Sequence, residues 1–276
     1  MDEIDKKFAD TTKLMFGKQL STLDEYKEWL QWRLPKSKTV KSCMSNSTIT
    51  LPCYSFFDAV PAERVVGFTD TQLVADKKIT MESGSEPSLS ELIDKVRSIA
   101  YFVPDFVEGR NINVVDTVVY LDSVNLYNSF DIFTTKNTAY TFSCINSECL
   151  FGCYRVVSSK FCIHCYVVIN CNLCFEVVNA KGCSNAFFCH NVENVHDSMF
   201  CFNTKNKQYA VANVEIGKEH YMLLKKMLLE WIIASLHRDR SVMIDIYNVL
   251  CPLASPTKVK KINRCHQYNS CNHNGQ

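Results

Sequence analysis

A repeated segment in the second half of the chain constrains the fold more than any other feature. From about residue 120 to 215, short runs of β-branched and aromatic residues alternate with Asn, Ser, Asp and Lys, a composition typical of strands and turns. Apolar pairs recur along it at spacings of 10 to 13 residues. The seven pairs are Leu126-Tyr127, Ala139-Tyr140, Cys149-Leu150, Phe161-Cys162, Leu173-Cys174, Ala186-Phe187 and Met199-Phe200.

Repeats this short indicate a solenoid. One unit cannot bury its own apolar face, whereas stacked copies bury a continuous one. The pattern therefore predicts a β-solenoid built from repeats of about twelve residues. We expect two repeats in each coil, which gives a two-sheet coil of about 24 residues.

The cysteines support the same interpretation. The chain has fifteen of them, and ten lie between Cys144 and Cys201, inside the repeated segment. The first twenty residues carry scattered charges and no continuous apolar stretch, so we expect neither an export signal nor a membrane anchor. The expected compartment is then the reducing cytoplasm of a host cell, where disulfides are rare. Because a thiol is small and weakly polar, we expect cysteines to fill the inside of the solenoid.

The flanking segments complete an α+β fold with four predicted parts. These are an N-terminal mixed α/β region (1–113), the cysteine-rich β-solenoid (114–216), C-terminal helices (217–254) and a basic flexible tail (255–276).

Helix signals are present on both sides of the repeats. Thr22 and Ser88 each stand three residues before a glutamate, at Glu25 and Glu91, and so predict capping boxes. Helical spacing of apolar residues continues after the repeats over 218–236 and 242–250. We expect these C-terminal helices to cap the last coil, whose strand edge would otherwise be unpaired.

Two CxxC units are the sharpest candidate for a metal site. They are Cys162-Ile-His-Cys165 and Cys171-Asn-Leu-Cys174. Zinc prefers four Cys or His ligands in a tetrahedron, and each unit supplies two thiols with little reorganisation. However, only five residues separate the units, and both are in phase with the apolar repeat. We therefore expect buried structural thiols and no cofactor, with a zinc-binding interaction module as the alternative.

Two further groups of cysteine and histidine are weaker candidates. The first contains Cys183, Cys189, His190, His196 and Cys201, and its histidines lie in Asn-rich turns where a solvated side chain needs no ligand. The second contains Cys265, His266, Cys271 and His273 in the tail, which we expect to be exposed.

The sequence favours a protein that is not an enzyme. Cys189-His190 and His164-Cys165 are sequence neighbours, and neighbours on a strand point to opposite faces, so neither predicts a nucleophile with its base. Walker A, GxGxxG, HExxH and GxSxG motifs are absent from the sequence.

Binding to glycan or nucleic acid is a further alternative. Aromatic residues of the repeats could form a stacking face, but we expect them to pack inward as a ladder. They are Tyr127, Tyr140, Tyr154, Tyr166 and Phe187. A net charge of +1 gives no long-range attraction for polyanions. Contact with nucleic acid is expected only through the basic residues of the tail, Lys258, Lys260, Lys261 and Arg264.

The end of the repeated segment resembles a known group of cysteine-rich repeat proteins. That group occurs in tailed phages, candidate-phylum bacteria and small-genome archaea, and its repeats end in a pattern like NKxYxxxN followed by KEEY and a helix. His220 replaces the usual acidic residue, and the similarity spans about residues 140–235. The matching residues are Asn206, Lys207, Tyr209, Asn213, Lys218, Glu219 and Tyr221.

The resemblance implies an architecture and a setting, and it carries no catalytic residues. A viral or small-genome origin with a role in assembly is what it suggests. We therefore expect a phage virion component such as a minor capsid, connector or decoration protein. Its partners would be capsid or connector subunits or further copies of itself, in the host cytoplasm and then in the virion.

Overall fold

The computed structural model describes residues 2–81 and 87–250. The fold is α+β, as the sequence predicts, and its centre is a β-solenoid of about nine coils. Five α-helices and several 3-10 helices lie outside the solenoid in this described part of the chain. The α-helices are α1 (Asp2–Phe16), α2 (Lys27–Gln31), α3 (Thr71–Ala75), α4 (Leu89–Arg97) and α5 (Lys218–Asp239). The 3-10 helices are Leu23–Tyr26, Ser55–Ala59, Ala62–Arg64, Phe68–Asp70 and Asn248–Leu250.

Two sheets are formed. Strands β1 (Ser37–Lys41) and β2 (Thr48–Pro52) make an antiparallel hairpin, and all later strands belong to the solenoid. The strands of the solenoid are β3 (Val107–Glu108), β4 (Ile112–Val115), β5 (Val118–Leu121), β6 (Val124–Tyr127), β7 (Phe130–Phe133), β8 (Lys136–Ala139), β9 (Phe142–Ile145), β10 (Glu148–Phe151), β11 (Tyr154–Val157), β12 (Lys160–Ile163), β13 (Tyr166–Ile169), β14 (Asn172–Lys181), β15 (Ser184–Met199), β16 (Phe202–Gln208), β17 (Ala210–Val211) and β18 (Val214–Glu215).

One coil contains one repeat, so the expectation of a 24-residue coil is wrong. From β4 to β12, parallel pairing joins each strand to the second strand after it, and the paired residues are twelve positions apart. Glu148 pairs with Lys160 in this way, and Tyr154 pairs with Tyr166. The predicted repeat is therefore a complete turn of the solenoid.

A left-handed backbone conformation at every third residue makes this small coil possible. From Asn113 to Ala212 each third residue has a positive φ, for example +54° at Asn170 and +66° at Gly152. Each of these residues turns the chain, so a coil of twelve residues has four short sides and four corners. Asn, Asp and Gly occupy many corners because they tolerate this conformation better than other residues. The Asn-rich spacing of the sequence is explained by this geometry.

The residue after each corner points inward. One residue in three thus lines the interior, in four columns that run along the solenoid axis. From Leu126 to Val195 every one of these side chains is buried, and nearly all are Cys, Ser, Thr, Val or Ala. The five repeat aromatics therefore lie on the outside, and the expectation that they point inward is wrong. A coil with three residues on each side leaves room only for small side chains.

Hydroxyls and thiols inside the solenoid satisfy backbone groups near the corners. The Ser147 hydroxyl donates to the carbonyl of Ile145 at 2.8 Å and accepts the N–H of Ser159 at 3.1 Å. The Ser159 hydroxyl in turn accepts the N–H of Cys171 at 3.0 Å. Thiols make the same donation, since Cys171 Sγ lies 3.5 Å from the carbonyl oxygen of Ile169. Serine and cysteine therefore serve one structural purpose in these columns.

Helices cover one outer side of the solenoid. Phe8 and Phe16 of α1 pack edge-on against Phe151 and Phe175, each pair with ring centroids 5.1 Å apart. The core formed there by α1, α2, α5 and the coils is separate from the cluster inside the solenoid.

The C-terminal segment differs from the prediction of end-capping helices. Helix α5 begins beside the last coil, where the rings of Tyr209 and Tyr221 are 5.8 Å apart. It then runs back along the covered side, and Arg240 just after it forms an ion pair with Glu25 at 2.8 Å. Residues 242–250 contain only the 3-10 helix near their end and no α-helix.

One of the two predicted capping boxes forms. At α4 the Ser88 hydroxyl accepts the N–H of Glu91 at 3.3 Å, and the Glu91 carboxylate accepts the N–H of Ser88 at 2.8 Å. At Thr22 the hydroxyl contacts the Glu25 carboxylate at 3.3 Å and caps no backbone group, because the chain enters α2 through a 3-10 turn.

Replacing Ser159 by alanine tests the internal hydroxyl ladder. The N–H of Cys171 would lose its acceptor while buried, so we expect the free energy of unfolding to fall by about 1–3 kcal/mol. Ser159→Cys keeps a small donor and acceptor and should lose less. Urea unfolding followed by circular dichroism measures both variants. A Ser159→Ala protein as stable as wild type would contradict this role.

Candidate functional site

All four predicted zinc ligands lie inside the solenoid. Cys162 and Cys174 are register partners on adjacent coils and belong to one column, whereas Cys165 and Cys171 belong to two others. Each of the four is at most 1% exposed. The structure also brings their sulfur atoms together, because the Cys162 thiol interacts with those of Cys165 and Cys174, and Cys171 with Cys174.

These thiols are hydrogen-bond donors to the backbone. Cys165 Sγ lies 3.2 Å from the carbonyl oxygen of Cys174, and Cys174 Sγ lies 3.4 Å from that of Asn172. A donating thiol is protonated, whereas zinc binds thiolates. Within the described ranges, no group of three or more Cys, His, Asp or Glu side chains is arranged to hold a metal ion. The zinc site stays a prediction that a metal analysis must test.

Protons are held unevenly within this thiol cluster. Burial raises the pKa of Cys165 well above its usual value. The neighbouring thiols of Cys165 and Cys174 lower the pKa of Cys162.

The weaker cysteine and histidine candidates are not brought together. Cys189 points inward while its neighbour His190 lies on the outside, and His196 hydrogen-bonds Ser184 at 2.8 Å. Cys183 and Cys201 are also inside, away from the histidines. The tail cluster and the tail basic residues lie outside the described residues.

A buried histidine and glutamate form a polar contact that the sequence analysis did not single out. His164 Nδ1 lies 2.8 Å from Glu176 Oε1, and both side chains are at most 2% exposed. The other carboxylate oxygen of Glu176 accepts the N–H of Ile246 at 3.1 Å. The indole of Trp29 stacks on the imidazole with ring centroids 4.4 Å apart. This contact joins the solenoid to both the N-terminal and the C-terminal segments, and we call it the seam.

The seam contains side chains that could act as acid and base. However, its His164–Glu176 pair is too deeply buried for a substrate to reach. Arg33 and Asp245 form an ion pair beside it, and the guanidinium lies over the ring of Tyr247 at 4.4 Å. His164 Nε2 and the Tyr166 hydroxyl are buried and have no hydrogen-bond partner among the residues that the structure describes. His164, Glu176 and Tyr166 are packed between segments, with Arg33 and Tyr247 partly exposed at the edge, so the arrangement fixes the segments in place.

The twelve-residue period could have shown that three residues of the solenoid side of the seam share one corner, but not which other segments they contact. Gly152, His164 and Glu176 are spaced by twelve, so they occupy the same corner of three successive coils. A Cβ atom on Gly152 would lie 2.8 Å from the carbonyl oxygen of Leu30 and 2.8 Å from the imidazole of His164. Glycine is needed at that corner because the N-terminal segment lies directly against it.

The first coil is open to solvent. Strands β3 and β4 are the two ends of the strand order, and no strand in the described part of the chain pairs with their outer edges. The inward residues Val114 and Tyr120 are only partly buried, whereas Leu126 and Ile132 one coil further are fully buried. Inside the last coil, Cys201 and Ala210 are fully buried, whereas Thr204 and Lys207 are only partly buried.

Exposed apolar side chains lie on this first coil and on helix α4, which precedes it in the chain. Phe106, Ile112 and Val115 of the first coil are 39–50% exposed. Helix α4 ends a few residues before the coil and has no buried residue. Its apolar stripe of Leu89, Ile93 and Val96 is uncovered. We call the open edge of the first coil the N-terminal end surface.

Comparison with known proteins finds no matching family model and no matching curated protein. No helix among the described residues is long and apolar enough to cross a membrane.

Two glycine corners provide a matched test of the seam. Gly152 and Gly182 both have positive φ, but a Cβ on Gly182 would meet only the mobile end of the Asn194 side chain at 2.8 Å. In both alanine variants the free energy of unfolding should fall by about 1–2 kcal/mol, because alanine is strained in the left-handed conformation. Gly152→Ala should lose roughly 1–3 kcal/mol more, because it forces Leu30 and His164 apart. Equal losses in urea unfolding would show that the seam is not tightly packed.

A metal and thiol analysis of one sample tests the zinc prediction. Because the buried thiols act as donors, we expect no stoichiometric zinc and fifteen reactive thiols per chain after unfolding without reductant. Elemental analysis and a thiol reagent give the two numbers. One zinc per chain that is released only on unfolding would assign Cys162, Cys165, Cys171 and Cys174 as ligands.

Proposed function

We propose that the chain is a non-enzymatic structural protein that assembles through its N-terminal end surface. The setting implied by the resemblance is a phage virion, with a role as a minor capsid, connector or decoration protein. The open first coil carries this proposal, because an unpaired edge with exposed apolar side chains is a site of association.

The solenoid is suited to act as a rigid spacer. Each coil is hydrogen-bonded to the next through two strands in register, and its interior is filled along the whole column. The seam and the core under α1 and α5 hold the flanking segments against it. Such a body keeps its length and presents its ends at a fixed separation.

A second copy is the occupant that the N-terminal end surface fits best. An edge strand is completed by another strand, and two copies related by a two-fold axis each supply the edge that the other lacks. Strand β4 would then pair with its own symmetry mate in antiparallel orientation. The coil carries exposed charges of both signs, at Glu108, Arg110 and Asp116, which a two-fold contact can bring into opposition.

Light scattering coupled to size-exclusion chromatography tests the assembly. Wild type should show a mass of twice 31.6 kDa that falls on dilution. Ile112→Lys adds a charge to the open edge and should raise the dissociation constant of the dimer at least about tenfold.

Ile169→Lys is the matched control. Ile169, like Ile112, lies just before a corner, but in the middle strand β13, and it is 44% exposed, close to the 49% of Ile112. The Ile169→Lys variant should therefore have the same mass in solution as wild type. A wild-type protein that stays monomeric, or a control as disruptive as Ile112→Lys, would refute assembly through this end. Binding of a different structural subunit at the same end would replace the second copy as occupant. Turnover of a substrate that depends on His164 or a cysteine would contradict the non-enzymatic role.

A further inference from the structure

Interior cysteines are stacked in pairs one coil apart. Three pairs in the middle coils have a spacing of twelve residues: Cys153 with Cys165, Cys162 with Cys174, and Cys171 with Cys183. Cys162 and Cys174 are direct register partners. In the other two pairs, the residues that follow are register partners, Tyr154 with Tyr166 and Asn172 with Ser184.

A fourth pair lies near the C-terminal end of the column. Cys189 and Cys201 precede the register partners His190 and Phe202. In all four pairs one thiol shifts the pKa of the other, as expected for side chains that lie beside each other. All eight thiols are free in this structure.

The stacking distance matches the reach of a disulfide. Neighbouring strands are about 4.7–4.9 Å apart, and register partners have Cα atoms at about that separation. Disulfides span Cα separations of about 4.4–6.8 Å, so the backbone already lies within range. The Cβ atoms must approach by roughly half an ångström to reach the usual spacing below about 4.5 Å.

We infer that the four stacked pairs form a redox-sensitive staple, in which a peroxide converts each pair into a disulfide between adjacent coils. The inference needs only the geometry of the coils and is independent of the proposed assembly role. Closed staples would join coil to coil along the axis and prevent them from separating one by one.

Hydrogen peroxide accepts the two electrons that are released when two thiols form a disulfide. One thiolate attacks a peroxide oxygen, the O–O bond breaks, and a sulfenic acid and water are formed. The partner thiol then attacks the sulfenic sulfur, the S–S bond forms, and hydroxide leaves and takes up the remaining proton as water. Two thiols and one peroxide thus give one disulfide and two waters.

In the pair nearest the C-terminal end, Cys201 loses its proton more readily than Cys189 and can act as the attacking thiolate. The neighbouring Cys189 thiol lowers the pKa of Cys201, and the N–H of Asn213 and the Lys207 ammonium favour the thiolate further. Burial raises the pKa of Cys189, which remains a thiol and can supply the second sulfur. Reaction is expected to begin at this end.

The full chain, purified with reductant and then treated with hydrogen peroxide, tests the staple. Digestion without reductant and mass spectrometry should recover four disulfides whose partners are twelve residues apart. The oxidised protein should unfold in guanidinium at least about tenfold more slowly than the reduced protein, and reductant should reverse the change.

Two serine variants make the test specific. Cys183→Ser places serine in a column that already holds Ser147 and Ser159, so it should fold and lose only the disulfide to Cys171. Cys144→Ser is the control, since Cys144 is also inside but stacks between Ile132 and Val156. It should keep all four disulfides. If Cys183→Ser does not fold, the disulfide map of wild type still decides.

Other products would overturn the inference. Disulfides within one coil, such as Cys162 with Cys165, would show that the stacked geometry does not direct the reaction. Sulfinic or sulfonic acids at the paired positions would show that the partner thiols cannot reach each other. Stacked disulfides without slower unfolding would show that they do not act as a staple.

Discussion

The left-handed corner at every third residue is the constraint on which the rest of the structure depends. It limits each side of the coil to three residues and so limits the interior to one side chain from each side. Packing density inside proteins leaves little tolerance for a mismatch in volume. The interior is therefore built mostly from Cys, Ser, Thr, Val and Ala, with a few Leu and Ile, and large aromatic residues are displaced to the outside. From Ile132 to Val195 no interior position holds an aromatic residue.

The corners also explain where the helices pack. A left-handed conformation costs a residue other than glycine about 1–2 kcal/mol. Exposed corners are mostly Asn, Asp, Ser or Gly, which lessen that cost. Tyr140 and Phe188 occupy corners on the covered side, where both are fully buried. Burial of such a side chain contributes about 1.5–3 kcal/mol, which offsets the strain. Apolar corners therefore identify the side of the solenoid that the flanking helices must cover.

The sequence revealed the solenoid and its approximate repeat, but the size of the coil could not be derived from apolar pairs alone. Those pairs drift between 10 and 13 residues because they mix interior positions with covered corners. Spacing by three would have been the better signal, since polar turn residues and small residues both recur with that period. Helix α1 was missed for a similar reason. Its buried residues Ile4, Phe8, Thr11, Met15 and Phe16 follow helical spacing, but charges between them hid the pattern.

The open first coil and the seam were beyond sequence reasoning for different reasons. An end is open only if no other segment reaches it, and that depends on where 1–106 folds. The seam depends on contacts between residues far apart in sequence, such as Trp29, His164 and Ile246. Neither property has a local signature. By contrast, the period of three predicts which cysteines point inward, because an inward residue recurs at every third position of the repeat.

The change from hydroxyls to thiols along the solenoid is the last feature that the geometry helps to explain. One interior column holds Ser123, Thr135, Ser147 and Ser159 in the early coils, and Cys171 and Cys183 in the next two. Both kinds of side chain fit the same space and donate to the same class of carbonyl. A hydroxyl makes the stronger hydrogen bond, and a thiol buries more apolar surface. Only the thiol can also form a covalent bond to the next coil. Coils built with cysteine thus keep the internal hydrogen bonds of those built with serine, and have in addition a chemistry that serine lacks where the surroundings are oxidising.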